Sequence, residues 1–388
     1  MYRQAPDIGT NTQDGYAVLL AHNWDTVQES FNFTIPHALA ENLELHKQLA
    51  AERETPMEYS FGGEGFQIWI GASQGKKWVI ENDDFQIHIG SPKQQWPITV
   101  RYLAAGLWEH GYEALKERIV TALFREGLPI CDGADIDRPE TWNRISRADY
   151  AFDFYSPAFT AEMHTRRMRE IILAPSGVKI GCIGSSVRDE TLQIGYSRPN
   201  LTIQVYDKGK EITDMSGKTW MFKVWEREGY YPPEDQKAKD VWRIEIRFGK
   251  DFIKNRGLLT FEQMHNKLAE LLAEAIMTRR MVSPQKHDHR ERWPLHPMWA
   301  AAYENAGQAG RYVPIGRQIT LRKDAMIDCL EKQIAGTTRS LASMGGQYNH
   351  TVAQHKLEEA GENITADPEH IAKVKKAIER YRYIEEAK

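Results

Sequence analysis

The sequence predicts an α+β protein: a largely antiparallel sheet with helices on one face, an open polar face on the other, and a helical C-terminal extension. Three observations predict it. Short runs of alternating apolar and polar residues recur from Phe61 to Phe248, broken by Gly, Pro or charged turns. Several of these strands split into one apolar and one charged side, which antiparallel sheets allow. From about Thr320 onward the chain reads as all-helical.

The elements follow in order. Residues 1–30 are polar and are expected to be loosely structured, with "FNFTIP" as a first short strand. Phe61 to Gly90 holds three strand-like runs, and "FGGEGF" within it reads as a hairpin turn. It lacks the Lys-Ser/Thr and helix start of a phosphate loop. "PITVRYLAAGLWEHGYEALKERIVTALFREGL" begins as a strand and becomes a helix to about Glu126, closed by Gly127. "RISRADYAFDFYSP" is a strand stopped by Pro157. "ETLQIGYSRPNLTIQVYDKGKE" is a strand, a turn at Ser197–Asn200 and a second strand, and "VWRIEIRFGK" is another. The helical stretch from Thr260 opens with a capping-box pattern, Thr260 with Gln263. "SPQKHDHRERWPLHPMW" breaks the periodicity as a linker, before the helical "TLRKDAMIDCLEKQIAGTTRSLASM" and "PEHIAKVKKAIERYRYIEEA". There is no internal repeat.

A chain of 388 residues, 41% hydrophobic and 27% charged, reads as globular. No run of 18 apolar residues predicts a membrane span, and the first residues lack the pattern of a secretory signal. Three widely spaced cysteines, Cys131, Cys182 and Cys329, make neither a disulfide framework nor a zinc cluster, so a reducing cytoplasm is expected. The net charge of −4 is unevenly spread. Residues 1–60 hold nine Asp/Glu against three Lys/Arg, whereas residues 279–322 hold eight Lys/Arg against three Asp/Glu. A nucleic-acid partner needs a basic patch rather than a basic average, so this distribution permits one.

The charged sides of three strands carry the chemistry. In "VWRIEIRF", Trp242, Ile244, Ile246 and Phe248 form the buried side, leaving Arg243, Glu245 and Arg247 on the other. In "RADYAFDF", Tyr150, Phe152 and Phe154 oppose Arg147, Asp149, Ala151 and Asp153. In "LTIQVYDKGKE", Leu201, Ile203 and Val205 oppose Gln204, Tyr206 and Lys208. If the three strands are neighbours, one sheet face collects carboxylates, cations and a tyrosine. A merely solvated face is the plainer reading. Asp149 and Asp153, four residues apart on a strand, lie roughly 13 Å apart, so they cannot share one small metal directly.

These blocks, in this order from Arg147 to Phe248, resemble the replication initiation factor (Rep_trans) family. Its members start rolling-circle replication of plasmids and filamentous phages, or act as relaxases of conjugative elements. The family pattern runs as an Arg-x-Asp-x-x-x-Asp strand, a turn leading to a Tyr-(Asp/Asn)-Lys-x-x-Glu segment, and a Trp-Arg-(Ile/Val)-Glu strand. The resemblance implies Tyr206 as nucleophile and Asp149, Glu211 and Glu245 as metal ligands, with Asp153 nearby; beside it, Lys208, two residues on along the same strand face, is expected to help the phenol ionise, and Arg198 or Arg247 to contact phosphate. The resemblance implies Mg²⁺ or Mn²⁺ as cofactor. The activity implied is strand-specific DNA nicking and rejoining through a phosphotyrosine. A relaxase with the same chemistry, or a catalytically inactive DNA-binding regulator, is the alternative.

The sequence departs from that pattern in three places. Arg198 in "IGYSRPN" is displaced by one position, Gln204 stands where an arginine is frequent, and Arg247 stands where a second glutamate is frequent. The chemistry is consistent with the residue types: cleavage needs an in-line oxygen nucleophile and charge stabilisation on the non-bridging oxygens. DNA is the expected partner, contacted by Arg243 and Arg247 on the sheet and by Arg279, Arg280, Lys286, Arg290 and Arg292 around the linker. Trp293 and Trp299 are candidates for stacking on unpaired bases. "HDH" at His287–His289 and His88 in "FQIHIG" read as ordinary loop and strand histidines. No Walker motif occurs, which points to a helicase supplied by the host, and the C-terminal helix suits a homodimer. The expected organisation is an N-terminal segment (1–60), a nicking domain with the open catalytic face (61–280), a basic linker (281–319) and a helical region (320–388).

Overall fold

Alternation recurs along most of the chain, and in the computed structural model it is paid out as strands of one sheet. The structure describes residues 17–307, apart from 164–167, 185–188, 196–199, 217, 219, 232–237 and 287–288, together with 334, 338 and 350–365. The strands are β1 (Val18–Phe31), β2 (Met57–Phe61), β3 (Glu64–Ile68), β4 (Trp78–Glu81), β5 (Phe85–Ile89) and β6 (Ile98–Tyr102). They continue as β7 (Asn143–Tyr155), β8 (Ile172–Leu173), β9 (Ile180–Gly184), β10 (Asp189–Ile194), β11 (Leu201–Asp207), β12 (Val241–Gly249) and β13 (Arg280–Met281). Eleven of them form one sheet in the order β2-β3-β4-β5-β6-β1-β7-β12-β11-β10-β9, and β8 pairs with β13 separately. Every pairing is antiparallel, which makes this an α+β fold.

One sheet face is closed by helices. Tyr112, Leu115 and Ile119 of the helix Tyr112–Arg125 are buried, as are Phe261, Leu271 and Ile276 of the helices Phe261–His265 and Leu268–Thr278. They pack with Val27 and Phe31 of β1, Phe152 and Phe154 of β7, and Trp242, Ile244 and Ile246 of β12 in one apolar core. The capping box is present: Thr260 and Gln263 satisfy each other's backbone N–H groups. The hairpin at "FGGEGF" is a two-residue loop, with Gly62 and Gly63 both at positive φ. A Cβ on Gly62 would stand 2.3 Å from Ala122, so the close approach of the helix also requires glycine there.

The polar face is covered at one end and open at the other. After β11 the chain turns through Lys208–Glu211 and Ile212–Ser216 to the helix Trp220–Glu226. Ile212, Met221, Phe222 and Trp225 of this excursion form a small second core with Leu20 and Val241. It caps the ends of β7 and β12 around Asp153 and Arg243.

The N-terminal expectation needs correction. The first strand is not "FNFTIP" but the 14-residue β1, which lies between β6 and β7 near the middle of the sheet. Its register against β7 shifts between Leu19 and Ala21, between Trp24 and Thr26, and between Gln28 and Glu29. The first two insert Leu20 and Asp25 into β1 and reset its period-two pattern, whereas the third inserts Ser146 into β7. Trp24 and Val27, three residues apart, are consequently both in the core. The chain divides into a unit of residues 1–317 and a unit of residues 318–388, and in the second the described helix is His350–Thr365. Among the described residues, no helix is long and apolar enough to cross a membrane.

Candidate active site

The three charged strands are neighbours, and their register sets the face in rows. Tyr206 pairs with Arg243, and Arg243 with Asp153. Gln204 pairs with Glu245, and Glu245 with Ala151. Thr202 pairs with Arg247, and Arg247 with Asp149. Strand β1 adds Thr26 opposite Asp149 and Gln28 opposite Arg147, and β6 adds Arg101 opposite Gln28.

Tyr206 is half-buried, and its hydroxyl donates to Glu245 Oε2 at 3.3 Å. Burial pushes the phenol well above its ordinary value and the charge of Glu245 adds to this, while Arg243 opposes it. Glu245 itself is raised, because burial and the nearby Asp149 and Asp25 outweigh the attraction of Arg247 and Arg243. A carboxylate raised in this way is a better proton acceptor, and it already holds the phenolic hydrogen bond.

Two depressions meet at Glu245 and Arg247. One, of about 450 Å³, is lined by Tyr206, Gln204, Lys210 and Glu211 beside them. The other, of about 350 Å³, is lined by Asp25, Arg101, Arg147, Asp149 and Lys218. Arg101 is lowered by burial and by the like charges of Arg147 and Arg247, and its buried Nε has no hydrogen-bond partner. Three guanidiniums crowded around one depression are an electrostatic setting for an anion such as a phosphate.

The expected metal ligands are already engaged. Asp149 takes Arg147 through both oxygens and Arg247 Nε at 3.2 Å. Asp153 accepts Arg243 Nε at 2.6 Å, Arg243 Nη2 at 2.9 Å and Trp225 Nε1 at 2.9 Å. Glu211 accepts Lys208 Nζ at 2.5 Å. Among the described residues, no three His, Cys, Asp or Glu side chains are grouped to hold a metal. Mg²⁺ and Mn²⁺ need oxygens that are free to coordinate, and these oxygens face guanidinium and ammonium donors, so the residues present do not fit such an ion.

Several expectations change in detail. Strand β11 ends at Asp207, whose Oδ1 caps the following turn by accepting Lys210 N at 2.8 Å. Lys208 therefore leaves the strand; it is buried, with its Nζ 5.7 Å from the centre of the Tyr206 ring. Arg243, expected to contact DNA, is 1% exposed and paired with both Asp153 and Asp25, so it cannot reach a phosphate. Arg247 does line the open depressions. Arg198 and His287 lie outside the described residues.

Around the linker, Arg280 donates to the carbonyls of Met277 and Glu291, and Arg290 to those of Glu170 and Ile172. Arg279 is half-buried, and Lys286 and Arg292 are exposed. Trp299 is in the core. His88 is buried and meets Gln86 Oε1 at 2.9 Å.

Asp25 and Arg101 were missed by sequence reading. Asp25 falls at the register shift of β1 that hid the strand, which turns it to the polar face where its Oδ1 accepts Arg243 Nη1 at 2.5 Å. Arg101 had a usable signal: it is the charged residue between Val100 and Tyr102 in an alternating run.

No protein-family model matches the chain, and no curated protein matches it. Among solved structures, a rolling-circle replication initiator protein from Geobacillus stearothermophilus aligns with a TM-score of 0.40 and 13% identity, covering 78% of this chain and 100% of that one.

Proposed function

We propose that this protein nicks and rejoins DNA through a covalent phosphotyrosine at Tyr206, and that it initiates rolling-circle replication. The observation that carries the chemistry is the hydrogen bond from the Tyr206 hydroxyl to Glu245 at the edge of a depression shared with Arg247. The replication role is supported by the resemblance of the blocks from Arg147 to Phe248.

In the reaction, the phenolic oxygen attacks a phosphorus of single-stranded DNA in line with the 3′ oxygen. The phenolic proton passes to Glu245, the new O–P bond forms, and the P–O3′ bond breaks. The proton returns from Glu245 through solvent to the 3′ oxygen, leaving a free 3′-OH and a 5′-phosphotyrosine. Because one phosphodiester replaces another, the reverse step rejoins the strand without ATP. The 3′-OH serves as primer. A host helicase and self-association through the C-terminal region belong to the same proposal, and a conjugative relaxase would use the same steps. A non-cutting regulator is favoured by one observation, Arg247 standing where a second glutamate is frequent.

The test uses single-stranded oligonucleotides tiling the DNA on either side of the protein's own coding sequence, incubated with wild type or Tyr206→Phe and resolved on denaturing gels. A covalent adduct formed by wild type and absent in Tyr206→Phe is expected. Binding without adduct supports the regulator. Cleavage that survives Tyr206→Phe means a different nucleophile.

A further inference from the structure

The cation that this face requires is supplied from within the chain. Arg247 sits between two acids on neighbouring strands, with Nε 3.2 Å from Asp149 Oδ2 and Nη2 2.9 Å from Glu245 Oε1. A divalent ion bridging those carboxylates would have to occupy the volume that the guanidinium fills. Asp149 is neutralised a second time by Arg147, and Asp25 and Asp153 share Arg243. The four buried or half-buried acids Asp25, Asp149, Asp153 and Glu245 therefore face Arg147, Arg243, Arg247 and the neighbouring Arg101. Charge on the face is balanced before any ligand arrives, so an added dication would find no uncompensated negative charge to hold it.

We infer that Arg247 takes the place of a divalent metal on this face, and that its guanidinium, with Arg147 and Arg101, holds the scissile phosphate while Tyr206 attacks it. The inference rests on the proposed nicking reaction for its consequence and on the Asp149–Arg247–Glu245 geometry for its substance. Arg247 keeps 27% of its side chain accessible and lines both depressions, so it can reach a bound phosphate, whereas Arg243 is enclosed. A planar guanidinium suits both tasks because it donates in fixed pairs to carboxylate or phosphate. As the attack proceeds, charge grows on the non-bridging oxygens, and donors already in position stabilise it without rearrangement.

Two measurements on the full chain test this. The first is adduct formation on the tiled oligonucleotides in EDTA, Mg²⁺ or Mn²⁺. Wild type is expected to form the Tyr206 adduct in EDTA at close to its rate with metal. Arg247→Ala should lose it by roughly 10²-fold or more, as when a positioned oxyanion donor is removed. The second is Mn²⁺ binding followed by electron paramagnetic resonance, which requires no activity. Wild type should take up no stoichiometric Mn²⁺, Arg247→Ala should gain one ion, and adding Asp149→Asn to that variant should remove it. Arg247→Lys keeps the charge and guards against a folding failure; it should bind no Mn²⁺.

One Mn²⁺ per wild-type chain that is lost in Glu245→Gln would overturn the inference, as would an adduct that forms only with metal; either leaves the nicking reaction standing. Failure of Arg247→Ala to gain Mn²⁺ also overturns it. If no adduct forms under any condition, the nicking proposal fails, and the Mn²⁺ measurements still decide whether Arg247 holds the cation position.

Discussion

Two buried carboxylates on opposite faces of the same sheet each accept a tyrosine hydroxyl, and they differ in what surrounds them. Glu29, on the helix-covered face, accepts Tyr102 at 2.9 Å, Tyr112 at 3.0 Å and Lys116 Nζ at 2.7 Å. It is sealed, and Lys116 also donates to Asn143 Oδ1 at 2.6 Å. Glu245, on the polar face, accepts Tyr206 at 3.3 Å and Arg247 at 2.9 Å beside an open depression. Burial raises all three phenols. Only around Tyr206 is a cation, Arg243, among the leading opposing influences. A tyrosine–carboxylate pair is thus a structural tie where it is sealed and a candidate acid–base pair where it has access to a depression.

The sharpest way to break this comparison is to delete the hydroxyl on each face. Tyr206→Phe should reduce adduct formation below detection, a loss of at least about 10³-fold by analogy with other nucleophile deletions, with little change in denaturation midpoint. Tyr102→Phe should leave the adduct rate per folded molecule unchanged and lower stability by about 1–3 kcal/mol in urea titrations, because Glu29 loses a donor in a sealed site. If Tyr102→Phe slowed the chemistry as much as Tyr206→Phe, the distinction between the faces would fail.

Removing the cation partners is the next contrast. Lys116→Met leaves Glu29 buried with its two tyrosines and no ammonium, and should cost about 3–5 kcal/mol in stability. Glu245→Gln, by contrast, should slow adduct formation by about 10²- to 10⁴-fold, the range of general acid–base assistance, while the protein stays folded.

The pH profile sharpens the role of Glu245. Its folded value is raised, so the carboxylate proposed to accept the phenolic proton is lost, as pH falls, at a point above the ordinary glutamate value. Adduct rate should therefore fall on the acid side at a higher pH than for an unperturbed glutamate. Arg247 lowers Glu245, so in Arg247→Lys, where the fork-like contact is lost, the acid limb should move further up. Rates measured across pH for both proteins check the direction; a limb that moves down would contradict the assignment of Glu245 as acceptor.

Much of this comparison was legible in the sequence, and the parts that were not have a common cause. The alternation in "RADYAFDF", "LTIQVYDK" and "VWRIEIRF" assigned faces because period two survives on strands without register shifts, and pairing then aligned the rows. Strand β1 was hidden because two shifts, at Leu20 and Asp25, interrupt its period, and Asp25 was hidden with it. The enclosure of Arg243 was invisible because it depends on Trp225 and Met221, which arrive from an excursion more than ten residues distant in the chain. Residue pattern shows which side a group faces; it does not show what later covers that side.

The smallest expected effect concerns the basic cluster, where the same contrast between engaged and accessible groups applies. Arg280 and Arg290 spend their guanidiniums on backbone carbonyls, and Arg290 also lies 6.0 Å from the Trp293 ring centre. Lys286 and Arg292 are exposed. If duplex DNA lies against this region, Lys286→Ala and Arg292→Ala should each weaken binding uniformly across sequences. Each should also reduce the slope of log affinity against log salt by about 0.9, the value for one phosphate contact. Arg290→Ala should instead lower the denaturation midpoint and leave that slope unchanged. Fluorescence anisotropy at several salt concentrations separates the two behaviours, and an unaltered slope in the Lys286→Ala, Arg292→Ala double variant would remove this cluster from the DNA-binding surface.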